Sequence, residues 1–264
     1  VKLNDKDAPQ ITDLALSTNN KILTVVMSEK VYSANDGTGL IDSTAFALSI
    51  NDGTAQLLSQ YPSSVKYTDS TSTFELGLPL KLVADGTETL TIGFTENGMF
   101  DASGTAAAQT QKINSVKLFD LSAPIITESK LNSDNSKVTI RFSVPVYADA
   151  KASLTLEPDD FKLTLVGGTA TLKSTTPSSI DSSENGKRYQ LGLDVIGIPD
   201  GREVLTINPV DNNIYDDAAN PANKVQDNNS MNLFDKQPPT ITSISLSKAN
   251  DTLFVTLSEA AYAK

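Results

Sequence analysis

Apolar residues along this chain tend to fall at every second position, in short runs. Leu23, Val25 and Met27 form the clearest run. Alternation of this kind is typical of a β-strand that buries one face. Further runs of the same type are Phe46-Leu48-Ile50, Phe74-Leu76-Leu78 and Leu90-Ile92. Shorter strands are predicted between Ile11 and Leu16, up to Leu57 and at Leu118. No stretch of ten residues shows a convincing helical period, so strands are the predicted elements.

The same runs return 115 residues later, with no insertion or deletion. Residues 6–120 and 121–235 are identical at 38 of 115 positions. Self-similarity at a fixed period indicates tandem structural units. The predicted organisation is the tail of a preceding repeat at 1–5, two complete repeats at 6–120 and 121–235, and the first two strands of a third repeat at 236–264, where the run of Leu23 reappears as Leu253, Val255 and Leu257.

Turn residues separate the predicted strands. Asp85-Gly86 and Asp200-Gly201 each stand just before a strand, and Asp-Gly pairs are strong turn signals. About seven short strands per repeat, divided by turns, predict an all-β fold of tandem antiparallel β-sandwiches, with a barrel as the alternative. The long connections at 29–45 and 95–113 are expected to carry short extra strands or to bind something.

Composition narrows the chemistry. The chain has no His, no Cys and no Trp, which excludes imidazole bases, thiol nucleophiles and disulfides. The net charge of −11 disfavours nucleic acid as a partner. No apolar run reaches the roughly 20 residues of a membrane span, and no signal peptide is present. The sequence therefore predicts a non-enzymatic segment of a longer protein.

Three motifs recur in register and carry a resemblance to a known family. They are Pro-Ile/Thr-Ile-Thr (124–127, 239–242), Ser-Glu/Val-x-Val-Tyr (28–32, 143–147) and Phe/Tyr-Asp-x-x-Gly/Ala-Thr/Asn (100–105, 215–220). With them the chain resembles the bacterial immunoglobulin-like tandem repeats of large surface proteins and adhesins. The third motif usually ends Asp-x-x-Gly-Asn in that family, and here Gly104 and Asn220 fall in different copies. The resemblance implies immunoglobulin-like sandwiches at the bacterial cell surface.

The short junction between repeats suggests a role. Only Leu121, Ser122 and Ala123 separate Asp120 from Pro124, and so short a linker ending in Pro restricts bending. We therefore expect an extracellular stiff stalk, whose partners are the neighbouring repeats of the same chain. One alternative is a self-assembling filament or surface-layer subunit, in which identical chains pair by strand addition through the partial third repeat. Another is an adhesin module that binds a ligand with its long loops.

Acidic and amide residues near the junctions predict a calcium site that would rigidify them. An immunoglobulin-like topology brings the start of the first strand and the last long loop to one end of the sandwich. Calcium takes six to eight oxygen ligands, which Asp and Asn supply. The candidate ligands are Asp5, Asp7, Asn97, Asp101, Asp120, Asn212, Asp216 and Asp235. The alternative is that these residues only form turns and strand ends.

The sequence disfavours two other chemistries. A Lys–Asn isopeptide needs a lysine in each repeat, and Lys21 becomes Ser136 in the second copy. Glu88 and Glu203 recur and would suit a glycosidase, but they directly follow a turn at the start of a strand. We therefore expect these two glutamates to be solvated at the strand edge.

Overall fold

The computed structural model describes residues 6–68 and 72–262. The chain forms two compact units, Val1–Ser122 and Ala123–Lys264. Both units are built of antiparallel β-strands. The helices among the described residues are three-residue 3₁₀ turns, and none of them is long or apolar enough to cross a membrane.

In its described residues, the first unit contains nine strands and one 3₁₀ helix, Ser43–Ala45. The strands are β1 (Ile11–Leu16), β2 (Ile22–Met27), β3 (Phe46–Asn51), β4 (Gln56–Leu57), β5 (Ser64–Tyr67), β6 (Thr73–Gly77), β7 (Leu80–Lys81), β8 (Thr89–Phe94) and β9 (Ser115–Lys117). They form a four-stranded sheet in the order β1-β2-β6-β5, a three-stranded sheet in the order β3-β8-β9, and the ribbon β4-β7.

The second unit repeats this arrangement. Its strands are β10 (Ile126–Leu131), β11 (Lys137–Phe142), β12 (Phe161–Val166), β13 (Thr171–Leu172), β14 (Ile180–Ser183), β15 (Arg188–Gly192), β16 (Val195–Ile196), β17 (Val204–Pro209) and β18 (Ser230–Asn232). The sheets are β10-β11-β15-β14, β12-β17-β18 and β13-β16. Two 3₁₀ helices, Pro158–Asp160 and Glu184–Gly186, and a final hairpin of β19 (Ile241–Leu246) and β20 (Leu253–Leu257) complete it.

The alternating residues line one apolar core in each unit. Leu23 and Val25 are fully buried, as the alternation predicts. In the first core the rings of Phe46 and Phe74 meet edge to face, with centroids 5.6 Å apart, an arrangement that aromatic pairs favour. In the second core Tyr189 takes the place of Phe74 and donates its hydroxyl to the carbonyl of Val146 at 3.1 Å.

The all-β, antiparallel prediction is confirmed, but among the described residues each complete repeat has nine strands rather than about seven, and the second unit also holds the β19-β20 hairpin. The strands that the sequence pattern missed in the first unit are β5 and β7. β5 is an edge strand whose side chains are at most half-buried, so its sequence lacks a strong apolar alternation. β7 has only two residues, too few to show a period.

Candidate functional site

Each unit has two distinct ends. Ile11, where β1 begins, pairs with Met27, where β2 finishes. Tyr32, just beyond β2, forms an isolated antiparallel β-bridge with Phe100 in the loop that follows β8. We call this the loop end. At the opposite end, the turn end, Asp120 bridges Asp85 just before β8. The chain therefore enters the first unit at its loop end and leaves it at its turn end.

The second unit has the same polarity. Ile126 pairs with Phe142 where β10 begins, and Tyr147 bridges Tyr215 at the same end. At the turn end, the N–H of Leu233 donates to the carbonyl of Glu203, just before β17. The path of the chain through the sandwich is thus a property of the repeat.

Four buried polar side chains recur in both units at the repeat spacing. The pairs are Asn20/Asn135, Glu88/Glu203, Asp101/Asp216 and Gln111/Gln226. A buried polar group destabilises the fold unless it is hydrogen-bonded. All eight have partners in their own unit, and most of these partners are backbone atoms of loops and turns.

Asn20 ties the first turn to the outgoing chain. Its Nδ2 donates to the carbonyl of Phe119 at 2.7 Å, and its Oδ1 accepts from the N–H of the same residue at 2.9 Å. Asn135 holds Phe234 in the same way, at 2.8 and 2.9 Å. Both asparagines have a positive φ, 57° and 62°, which Asn tolerates better than most residues.

Gln111 ties the last loop to the incoming chain. Its Oε1 accepts from the N–H of Ile11 at 2.9 Å, and its Nε2 donates to the carbonyl of Ala108 at 2.7 Å. Gln226 makes the equivalent bond to Ile126, at 2.7 Å. A glutamine at the loop end and an asparagine at the turn end therefore hold the two terminal segments of each unit. We call the bond between the glutamine and Ile11 or Ile126 the incoming clamp, and the two bonds between the asparagine and Phe119 or Phe234 the outgoing clamp.

The buried carboxylate of Glu88 accepts hydrogen bonds from two turns at the turn end. Its Oε1 accepts from the N–H groups of Thr54 and Ala55, both at 2.8 Å, and from that of Asp85 at 3.2 Å. Glu88 is fully buried, so our expectation that it is solvated at a strand edge is wrong. The reason is that N–H groups of two turns supply the hydrogen bonds that water would otherwise give to the carboxylate.

Glu203 plays the same part in the second unit. Its Oε1 accepts from Thr169 at 2.8 Å, Ala170 at 2.9 Å and Asp200 at 3.2 Å. Burial raises its pKa, but the backbone donors outweigh burial and lower the pKa to about 2. This carboxylate is also fully buried, so neither glutamate is placed to meet a sugar.

Asp101 and Asp216 are two of the predicted calcium ligands. Their carboxylates accept hydrogen bonds from backbone N–H groups of the loops in which they lie. Asp101 Oδ1 accepts from the N–H groups of Ser103 at 2.8 Å and Thr105 at 2.6 Å. Burial raises the pKa of Asp101, yet these donors lower it overall. Asp216 accepts from the N–H of Asn220 at 2.8 Å and from its amide at 3.0 Å.

The other predicted ligands are spread over both units. Asp7 and Asn97 are exposed at the loop end of the first unit, which is also the end of Asp101. Asp120 lies at the turn end of that unit and accepts from the N–H of Ser122 at 2.8 Å. Asp5 lies outside the described residues.

In the second unit the candidates again divide between the two ends. Asn212 stands beside Tyr215 at the loop end, where its backbone carbonyl accepts from the Tyr215 hydroxyl at 2.8 Å. Asp235 lies at the turn end beside Gly201, and its carboxylate accepts from the N–H of Gln237 at 2.8 Å. Within 6–68 and 72–262, no three carboxylates group closely enough to hold a metal ion. Calcium binding stays a prediction, which a thermal melt with calcium and then with a chelator would test.

The apolar pattern does not predict the clamps. Asn20 and Gln111 lie between the alternating apolar runs, so the apolar pattern does not single them out. A signal was present, because both are identical in the two copies, as Asn135 and Gln226. Their partners lie 99 and 100 residues away in the sequence, so local pattern could not identify them.

Comparisons with known proteins do not assign a family. No family model matches the sequence, and no curated protein matches it. Among solved structures, the crystal structure of the S-layer protein rSbsC(31-844) is similar to this chain, with a TM-score of 0.31 and 15% sequence identity. The alignment covers 94% of this chain and 32% of that one, so the chain spans about a third of that structure. A likeness at this TM-score assigns neither a family nor a function.

Proposed function

We propose that this chain is a non-enzymatic structural segment of an extracellular bacterial surface protein, in which tandem immunoglobulin-like units carry tension from one end to the other. One observation carries the proposal. In each unit the chain enters at one end and leaves at the opposite end, and a buried clamp fastens each terminal segment.

The strand arrangement suits such a load. β1 lies beside β9, and both run from the loop end to the turn end. Tension on the two ends of the unit would slide these strands past each other. The bonds between the terminal segments and the rest of the unit then bear force together rather than one after another, so a larger force is needed to break them.

The non-enzymatic part of the proposal rests on chemistry. His and Cys are missing from the sequence. The carboxylates of the recurring glutamates Glu88 and Glu203 accept hydrogen bonds from backbone N–H groups. The recurring polar residues therefore serve the fold. The surface location is proposed from the sequence resemblance alone.

Single-molecule pulling on the full chain tests the proposal. With handles at the two termini we expect two force peaks, each followed by a gain in contour length of roughly 35 nm. This is the extended length of about 115 residues, at roughly 3.3–3.6 Å per residue, less the few nanometres that the folded unit already spans. Extension without force peaks would contradict a tension-bearing role.

Changing the direction of pulling provides the control. Because the chain lacks Cys, single cysteines can be introduced as attachment points. Handles at Thr18 and Asp85, both at the turn end of the first unit, would open the sandwich from one side instead of sliding β1 along β9. The first unit should then unfold at a lower force than in the end-to-end geometry, and an equal force would contradict the proposed load path.

A further inference from the structure

An apolar groove lies at the turn end of the first unit, beside the turn between β1 and β2. Its aliphatic lining includes Leu80, Leu82, Val83 and Leu121. Its volume is about 560 Å³, within the roughly 300–1,000 Å³ that is usual for small-molecule sites. Val83 is 53% exposed and Leu82 is 61% exposed, so these side chains are not part of the core. A concave apolar surface of this size is typical of a ligand site.

The second unit shows that the fold does not require this groove in its apolar form. The equivalent residues there line a smaller groove of about 310 Å³. In it Gly197 takes the place of Leu82, and Lys236 takes the place of Leu121. The sheet order is nevertheless the same in both units. The larger apolar groove is therefore a property of the first unit and not of the repeat.

Leu82 has a backbone conformation that is unfavourable for leucine. Its φ is +67°, in the left-handed region that L-residues with bulky side chains rarely adopt. The second unit avoids this strain, because Gly197 stands there with a φ of +89°. Little burial compensates the strain at Leu82, since its side chain is largely exposed. A strained residue with an exposed apolar side chain points to a role outside the fold.

Two hydrogen-bond donors stand at the polar edge of the groove. Asn19 and Lys21 both line it. The Oδ1 of Asn19 accepts from the N–H of Lys21 at 3.1 Å and from the hydroxyl of Ser17 at 2.8 Å, which leaves its Nδ2 to donate. Among the residues that the structure describes, Lys21 belongs to no ion pair, and no carboxylate lines the groove. An ammonium group beside an amide donor suits a carboxylate ligand.

The groove of the second unit has the opposite chemistry at this edge. Asp134 stands in the place of Asn19, and Ser136 in the place of Lys21. The carboxylate of Asp134 accepts from the hydroxyl and the N–H of Ser136 at 2.7 and 3.0 Å. These bonds lower the pKa of Asp134, so the group is charged at neutral pH and repels an anion. The first groove thus offers an anion two donors where the second offers a negative charge.

We propose that the groove of the first unit binds a free aliphatic carboxylate. The hydrocarbon chain lies on the apolar side chains, and the carboxylate contacts the ammonium of Lys21 and the amide of Asn19. The described lining contains no aromatic ring on which a planar ligand would stack, and its leucine and valine side chains match an alkyl chain. The inference does not depend on the tension-bearing role.

Octanoate is the probe, titrated into the full chain by isothermal titration calorimetry. We expect one site per chain with a Kd of roughly 0.1–1 mM. Decanoate, which is two CH₂ groups longer, should bind about five- to tenfold more tightly, because the added groups leave water. Octan-1-ol has the same chain length and no charge, and it should bind at least about fivefold more weakly than octanoate. Two equal sites per chain, or equal affinities for the acid and the alcohol, would overturn the proposal.

Variants that copy the second unit locate the ligand in this groove. Leu82→Gly removes an apolar side chain and relieves the strained backbone, so the protein should fold and bind octanoate at least about fivefold more weakly. Lys21→Ser should weaken octanoate binding by a similar factor and leave octan-1-ol binding unchanged. Leu40→Thr copies Thr155 and replaces an exposed leucine outside the groove. It is the matched control and should bind octanoate like the unmodified chain.

Two results with the Leu82→Gly variant would contradict the site. One is an octanoate affinity equal to that of the unmodified chain. The other is a dimer in sedimentation that is lost in this variant, together with no octanoate binding by the unmodified chain. A second copy of the chain would then cover the groove in place of a small ligand.

Discussion

Asn20 and Asn135 combine two roles that no other residue type fills as well. Their positive φ allows the tight turn between the first two strands of each unit. Their side-chain amides donate to and accept from one backbone residue of the outgoing chain. A single side chain therefore shapes a turn and fastens a segment 99 residues away.

Two substitutions at Asn135 separate these roles. Asn135→Gly keeps the backbone freedom and removes the clamp, so we expect a loss of about 1–3 kcal/mol for the backbone groups of Phe234 left unsatisfied. Asn135→Ala adds about 1 kcal/mol for the strained backbone. Scanning calorimetry of the full chain measures both. Unfolding temperatures equal to that of the unmodified chain would contradict the clamp.

The Glu203 carboxylate predicts a pH dependence of stability. Its pKa falls from 4.5 to about 2 on folding, so the folded state binds this proton less readily than the unfolded state. Its contribution to stability is complete above the unfolded pKa and is lost as the pH falls from about 4.5 towards 2. Urea unfolding at pH 7, 4 and 3 measures this change.

Glu203→Gln is the reference for that experiment. The variant cannot ionise at this position, and we expect it to be less stable than the unmodified chain at pH 7 by about 2–3 kcal/mol. The difference should shrink as the pH falls through the same window. A constant difference between pH 7 and pH 3 would show that the charge of Glu203 does not stabilise the fold.

At the scale of elements, alternation identified the strands that bury one face. β2, β3, β6 and β8 all follow their predicted runs, because burial of alternate side chains leaves a visible period in the sequence. The edge strand β5 and the ribbon strand β7 leave no such period. The identity of Asn20 and Gln111 in the two copies marks the clamp residues, but their partners could not be predicted, since backbone groups carry no signal in the sequence.

Gly168 shows how the Glu203 carboxylate limits the neighbouring turn. Its φ is +57°, and a Cβ at this position would overlap the carboxyl group of Glu203. We expect Gly168→Ala to destabilise the second unit by more than about 2 kcal/mol, from backbone strain and displacement of a buried, hydrogen-bonded charge. Thermal unfolding measures the loss.

Gly197→Ala, in the turn after β16, is the matched control for this substitution. Gly197 also has a positive φ, but the nearest atom to an added Cβ is 3.5 Å away. The first unit carries Leu82 at the same place, with a φ of 67°, so the repeat tolerates a side chain there. We expect a loss of at most about 1 kcal/mol. Equal losses at Gly168 and Gly197 would contradict a special role for the buried carboxylate.

At the scale of the whole molecule, the same design occurs twice. Each unit has the same sheet order, the same buried carboxylate and the same pair of clamps. The path of the chain through each unit, from loop end to turn end, is also the same. A repeat of this kind can be multiplied along a chain without changing its internal contacts, which is what a spacer under tension requires.

Pulling on the Asn20→Gly variant tests the central claim most directly. The substitution removes the outgoing clamp from the first unit and leaves the second unit unchanged. We predict that one of the two unfolding peaks moves to lower force and that the other keeps its force, while both gains in contour length stay at roughly 35 nm. Two peaks at the forces of the unmodified chain would show that the clamp bears no tension, and would contradict the account.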